Sequence, residues 1–167
     1  ELPSDVALAK DAPEGAIQEV NEAAQHFAAW FGARLKRHGG AALLIDYGPA
    51  ESGFGDSLQA MRAGQPVDPL VAPGAVDITA HVDFAAFAAA ARAAGAVPHG
   101  PLPQGVFLQR LGFMTRAAML ARLDPARAQA QLAAAHRLTA PEAMGRLFKA
   151  LTLCDSSLPI PAGFETA

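Results

Sequence analysis

Apolar residues recur at Ala24, Phe27, Phe31 and Leu35, three and four apart, which is the stripe of one helical face. Asn21 can cap that helix and Glu22 sits in its first turn. Arg34, Lys36, Arg37 and His38 crowd the last turn, where positive charge suits the helix dipole, and Gly39 ends it. The period then disappears. Ala41-Ala42-Leu43-Leu44-Ile45 is apolar without alternation and lies between Gly39-Gly40 and Gly48-Pro49. Too short for a buried helix, it predicts a strand at 41–46, central and covered on both faces, in a parallel α/β unit. Ahead of the helix, residues 16–20 predict a short strand. Residues 1–13, with prolines and no apolar period, predict an irregular lead-in.

Residues 48–76 form a Gly- and Pro-rich connection. Leu58, Met61, Val67, Leu70 and Val71 imply that it packs down onto the domain. Val76 to Val82 is a second extended stretch. Asp83 can cap a helix that buries Phe84, Phe87, Ala88 and Ala91 and stops at Gly95. A strand at 96–99, interrupted by Pro98, belongs near a sheet edge. Helices follow over Gln104 to Leu111 and Phe113 to Leu123, and then from Asp124-Pro125, a cap with proline at the first helical position, to Leu138. A short turn at 139–142 leads to a last strand marked by Leu147, Lys149, Leu151 and Leu153. Phe107, Phe113, Met114 and Met119 are expected in the core.

Composition agrees with one domain. The chain has 167 residues, 51% hydrophobic and 17% charged, with a net charge of −3. That is enough apolar material for a core and gives no basic footprint for nucleic acid. No stretch reaches the roughly 20 apolar residues of a membrane span. A single cysteine, Cys154, excludes a disulfide within the chain and reads as a small buried hydrophobe. The chain begins at Glu1 without a signal peptide, so it reads as the remainder of something longer, in a reducing bacterial cytoplasm.

Candidate chemistry gathers at strand ends, where ligands bind in open α/β sheets. Asp46 and Tyr47 close the first predicted strand. His81 and Asp83, two residues apart, would share one face of a strand and could begin a metal site or proton relay. The residues alone favour the other reading, Asp83 as a helix cap and His81 as a hydrogen-bonded loop residue. No other His or Cys pair has metal spacing, so no metal is assigned. Gly55-Asp56-Ser57 lacks the frame of a hydrolase elbow, and Gly53-Phe54-Gly55 lacks the third glycine and the helix of a dinucleotide loop. Gln104 could face a ligand or cap the helix that follows it.

Five stretches taken in order resemble one family. They are Gly39 to Gly48 (GGAALLIDYG), Gly55 to Ala60 (GDSLQA), Asp77 to Phe84 (DITAHVDF), Gly100 to Leu108 (GPLPQGVFL) with Leu111-Gly112, and Met144 to Lys149 (MGRLFK). The chain resembles the MidA-type S-adenosylmethionine-dependent methyltransferases, whose mitochondrial members are complex I assembly factors that methylate a protein arginine. It departs from them at Gly64 and Gln65, where the family often has a histidine, and at Asn21-Glu22, where it tends toward Ser-Pro. The family's glycine-rich cofactor loop has no counterpart here.

The resemblance implies an α/β fold, the C-terminal half of a Rossmann-like class I methyltransferase sheet with additional helices, over residues 14–164. It implies S-adenosylmethionine as cofactor, held mainly by the other half. It implies Asp46 and Asp83 as the acids that meet a guanidinium, and Tyr47, Thr79, His81 and Gln104 as substrate-side residues. The expected partner is a protein substrate, a respiratory complex I subunit or another protein. Neither nucleic acid nor membrane insertion is expected, and a homodimer is left open. The competing reading is a non-catalytic protein-binding module derived from the same fold; a small metal-dependent hydrolase using His81 and Asp83 is the third.

Overall fold

A computed structural model describes residues 12–72 and 74–165, so most of the lead-in read over 1–13 lies outside the described residues. Helix α1 spans Glu22–His38, with Asn21 at its N-cap accepting a hydrogen bond from the Ala24 amide at 2.9 Å. Strand β1 is Ala41–Tyr47. Three short strands then form: β2 (Gln59–Arg62), β3 (Gln65–Val67) and β4 (Asp77–Thr79). Helix α2 (Phe84–Ala93) leads to β5 (Val97–Pro103), followed by α3 (Gln104–Arg110), α4 (Phe113–Leu123) and α5 (Ala128–Thr139). An irregular wide turn over Pro141–Gly145 feeds β6 (Phe148–Cys154).

The main sheet has the order β1-β6-β5, with β6 antiparallel to both neighbours. The parallel unit expected around β1 is therefore corrected in part: β1 and β5 run parallel to each other, but the last strand is inserted between them. β6 is the covered central strand, and Ala150, Leu151 and Leu153 are fully buried. Directly opposed residues share a face in an antiparallel pair. Leu44 opposite Leu151, and Ala42 opposite Leu153, thus look toward α1 and α2. Phe84, Phe87, Ala88 and Ala91 of α2 fill that layer, as their spacing predicts. Gly32 lets the two helices touch, since a Cβ there would overlap the Ala91 carbonyl oxygen.

The second face is covered only over β5 and β6, where Phe107 and Phe164 pack at 5.0 Å over Ala150 and Leu102. Over β1 that face is bare: Leu43 is 52% exposed and Ile45 44%. The reading of β1 as covered on both faces is corrected accordingly. As Pro98 implies, β5 is an edge among the described residues.

Several local readings also change. Residues 16–20 join neither sheet; they are tied to the fold by the Gly55 amide donating to the Ile17 carbonyl and by the hydrogen bonds of Glu19 to Ser57 and Leu58. The 48–76 connection carries β2 and β3, which with β4 just beyond it form a small antiparallel sheet, order β3-β2-β4, whose buried residue is Ala60, while Leu58, Leu70 and Val71 are exposed. Asp124-Pro125 does not open α5. The Asp124 carbonyl and side chain both accept from the Arg127 amide, closing a separate turn first. Met114 and Met119 lie exposed on α4, whereas Phe107 and Cys154 are buried as expected.

Asp155 fastens the sheet at the start of β1. Its Oδ2 accepts from the Gly40 amide at 2.8 Å and its Oδ1 from the Ser157 amide and hydroxyl. The Ser157 hydroxyl, then the Ser157 and Gly40 amides, hold its carboxyl below the usual carboxylate range. A carboxyl depressed in the folded state adds stability above its unfolded pKa and loses it as pH falls through the folded value. Asp155→Asn is expected to lower the thermal midpoint at neutral pH and to narrow the gap to wild type below about pH 4; calorimetric melts across that range measure it.

Candidate functional site

A cleft of about 1190 Å³ opens where four chain segments meet: the approach to α1, the loop after β1, the end of the β4 segment, and the turn into β6. Its position follows from one close approach. Gly48 ends β1 against the backbone of Val82, whose amide donates to the Tyr47 carbonyl at 3.0 Å. A Cβ at Gly48 would overlap the Val82 carbonyl oxygen. The Gly48 carbonyl in turn accepts from Lys149 Nζ at 2.8 Å. That ammonium also donates to the carbonyls of Arg146 and Leu147, so all three of its hydrogens are engaged. Burial, and then the nearby Arg146 charge, push the Lys149 ammonium pKa down.

His81 and Asp83 line the cleft together. Asp83 caps α2, its Oδ1 accepting from the Ala86 amide and from Ser52 Oγ, each at 2.9 Å. Both bonds fall on Oδ1, which leaves Oδ2 as an acceptor. Tyr47 does not line the cleft itself; its ring lies edge-on to His81 at 5.6 Å and tilted against Phe148 at 5.5 Å. Asp83 thus caps α2 and lines the cleft at the same time.

The other candidates lie elsewhere. Asp46 is exposed, takes a hydrogen bond from the Tyr47 amide, and does not line the cleft. One residue along a strand reverses the face, so Asp46 and Tyr47 cannot both turn to the same side. Thr79 sits in the β2–β4 ladder opposite Gln59 and is also outside the lining. Gln104 is buried at 5% exposure, its Nε2 donating to the Leu138 carbonyl at 2.8 Å, which ties α3 to α5 rather than facing a ligand.

The sequence reading missed most of the charge. Glu19, Glu22, Glu51, Asp83 and Glu142 line the cleft, against Arg146 and the engaged Lys149. Glu19 is the most committed of these. Its Oε1 accepts from the amides of Ser57 at 2.9 Å and Leu58 at 3.1 Å, and its Oε2 from Ser57 Oγ at 2.5 Å. The Ser57 hydroxyl hydrogen bond leads the causes that hold the Glu19 carboxyl below its usual range. No local motif marks this brace, because its partners are 38 and 39 positions away.

Residues 3–102 match the model of the family described as "Putative S-adenosyl-L-methionine-dependent methyltransferase". Among curated proteins, the chain is 38% identical over 125 residues to "Protein arginine methyltransferase NDUFAF7 homolog, mitochondrial" of Drosophila melanogaster. That stretch is 72% of this chain and 28% of the fly protein. It is 36% identical over 118 residues to the mouse protein arginine methyltransferase NDUFAF7, covering 69% of this chain and 26% of that one. A Burkholderia thailandensis crystal structure bound to S-adenosyl-homocysteine matches 94% of this chain and 40% of its own, at 31% identity and a TM-score of 0.76. The chain therefore spans less than a third of the length of these curated relatives. The expected bacterial cytoplasmic setting does not stand: the curated relatives are named as mitochondrial.

Gly48 is the residue on which the site geometry turns. Gly48→Ala is expected to destabilise the fold by about 2–4 kcal/mol, since Val82 must move and its bond to Tyr47 is strained. Urea unfolding would show it as a lower midpoint, and a change under about 0.5 kcal/mol would mean that the approach is not restrictive.

Proposed function

This chain belongs to the S-adenosyl-L-methionine-dependent methyltransferase family whose model it matches, and on that premise we propose that it forms the acceptor side of an enzyme that methylates a protein arginine. The observation that supports this reading best is the charge of the cleft. Five carboxylates line it against two cations, and one of those cations has its donors occupied by backbone carbonyls. Such a surface favours a cationic guanidinium, whose planar fork suits carboxylate oxygens. Arginine methyltransferase names among the relatives agree with that chemistry.

S-adenosylmethionine supplies an electrophilic methyl group when bound, and the family makes it the expected cofactor. The described residues of this chain do not fit its cradle. Gly53 and Gly55 have open space where a Cβ would stand, and their loop feeds β2 rather than a helix, so no close backbone approach to a nucleotide is built there. In this reading, residues 14–164 are the C-terminal part of one methyltransferase domain, and the remainder of the fold holds the cofactor. The bare second face of β1, with Leu43 and Ile45 exposed, is where that remainder would cover the sheet.

What these residues can do is bind and orient. Asp83 Oδ2 would accept a guanidinium N–H, with His81, set against the Tyr47 ring, as the wall beside it. Holding the acceptor nitrogen in line with the incoming methyl group is the main task of a protein in such a displacement. The acceptor is a protein, and a respiratory complex I subunit is the candidate that the family resemblance offers.

Asp83→Asn separates capping from charge, because asparagine also caps helices well. Titrating acetyl-Gly-Arg-Gly-amide into the intact protein, the variant is expected to bind about tenfold more weakly while its melting midpoint is nearly unchanged. Unaltered affinity would remove Asp83 from the acceptor site.

A further inference from the structure

The cleft is assembled from segments far apart in sequence, and one carboxylate joins three of them. Glu19 precedes α1. Through Oε1 and Oε2 it holds the amides of Ser57 and Leu58 and the Ser57 hydroxyl. Ser57 Oγ then accepts the backbone N–H of His81 at 2.9 Å. A hydroxyl that donates to a carboxylate is polarised toward accepting a bond in return, so the two bonds strengthen each other. One step back, the Gly55 amide bonds the Ile17 carbonyl at 2.9 Å, so the two loops are zipped over several residues. The imidazole of His81 meets Tyr47, and two residues on stands Asp83.

We infer that Glu19 is a positioning residue: through Ser57 it sets the His81-to-Asp83 segment that meets the acceptor, and does not itself bind the guanidinium. Both of its oxygens are already engaged by three donors, which makes it a poor partner for another cation unless the brace opens. Its place beside four other cleft carboxylates otherwise suggests the opposite role. The inference rests on the acceptor-side reading for its purpose, but its geometry stands apart from it.

The test compares Glu19→Gln, Ser57→Ala and the double variant in the intact protein, with Ser57→Thr as the form that keeps the hydroxyl. Hydrogen exchange at the His81 amide reports the brace, and calorimetric titration of acetyl-Gly-Arg-Gly-amide reports its consequence. Glu19→Gln and Ser57→Ala are each expected to speed His81 exchange on the order of fivefold or more, about the worth of one hydrogen bond. Each should weaken the peptide several-fold, and the double variant should be no worse than either single one. Ser57→Thr should behave as wild type in both measurements, which separates loss of the bridge from general loosening. Unchanged His81 exchange in Glu19→Gln would overturn the inference, as would losses in affinity that multiply in the double variant, which would put Glu19 on the guanidinium. If the wild type binds the arginine peptide no better than acetyl-Gly-Gly-Gly-amide, the acceptor reading fails, and His81 exchange alone decides the brace.

Discussion

The backbones of Gly48 and Val82 lie in contact, with no room for a side chain between them. That contact brings the end of β1 to the segment that precedes α2. It carries His81 to the Tyr47 ring and Asp83 to the mouth of the cleft, and turns the Gly48 carbonyl toward Lys149. A larger residue would part these segments, and with them the ring contact that holds His81 against Tyr47. The lysine works from the other side. By collecting three carbonyls it fixes the turn into β6 against the end of β1.

The frame behind that contact is a three-stranded sheet built around its last strand. Helices α1 and α2 pack on one face of β6, and α3 with Phe164 on the other. The contrast with β1 is instructive, because β1 is the continuous apolar run in sequence whereas β6 carries Lys149 and Thr152. β6 is buried throughout its second half, whereas β1 alternates, since one of its faces meets no layer among the described residues. An apolar run indicates that a strand suits two-sided burial; it does not say which other part of the fold supplies the second cover.

The helices were legible because their signals are local. Asn21 and Asp83 cap where their side chains and positions predict, and Phe84, Phe87, Ala88 and Ala91 turn inward together. The sheet order was not legible, because inserting β6 between β1 and β5 leaves no mark in any one segment. Of the candidates named at strand ends, His81 and Asp83 line the cleft, and Tyr47 meets it only through its ring contact with His81. Asp46 was misplaced by one residue of strand pleat, and Gln104 by a buried bond to a carbonyl 34 positions away. Glu19 and Lys149 escaped for the same reason as the sheet order. What makes each important is a set of partners that tertiary structure alone brings near.

The central claim is that this cleft receives a protein arginine. The most direct measurement is to supply the intact protein with methyl-labelled S-adenosylmethionine and arginine-containing protein substrate, and to locate the label by mass spectrometry. The account predicts label on a guanidinium nitrogen, and its loss when the acceptor arginine is replaced by lysine. Label transferred to any other side chain, or an equal yield with lysine in place of arginine, would contradict it.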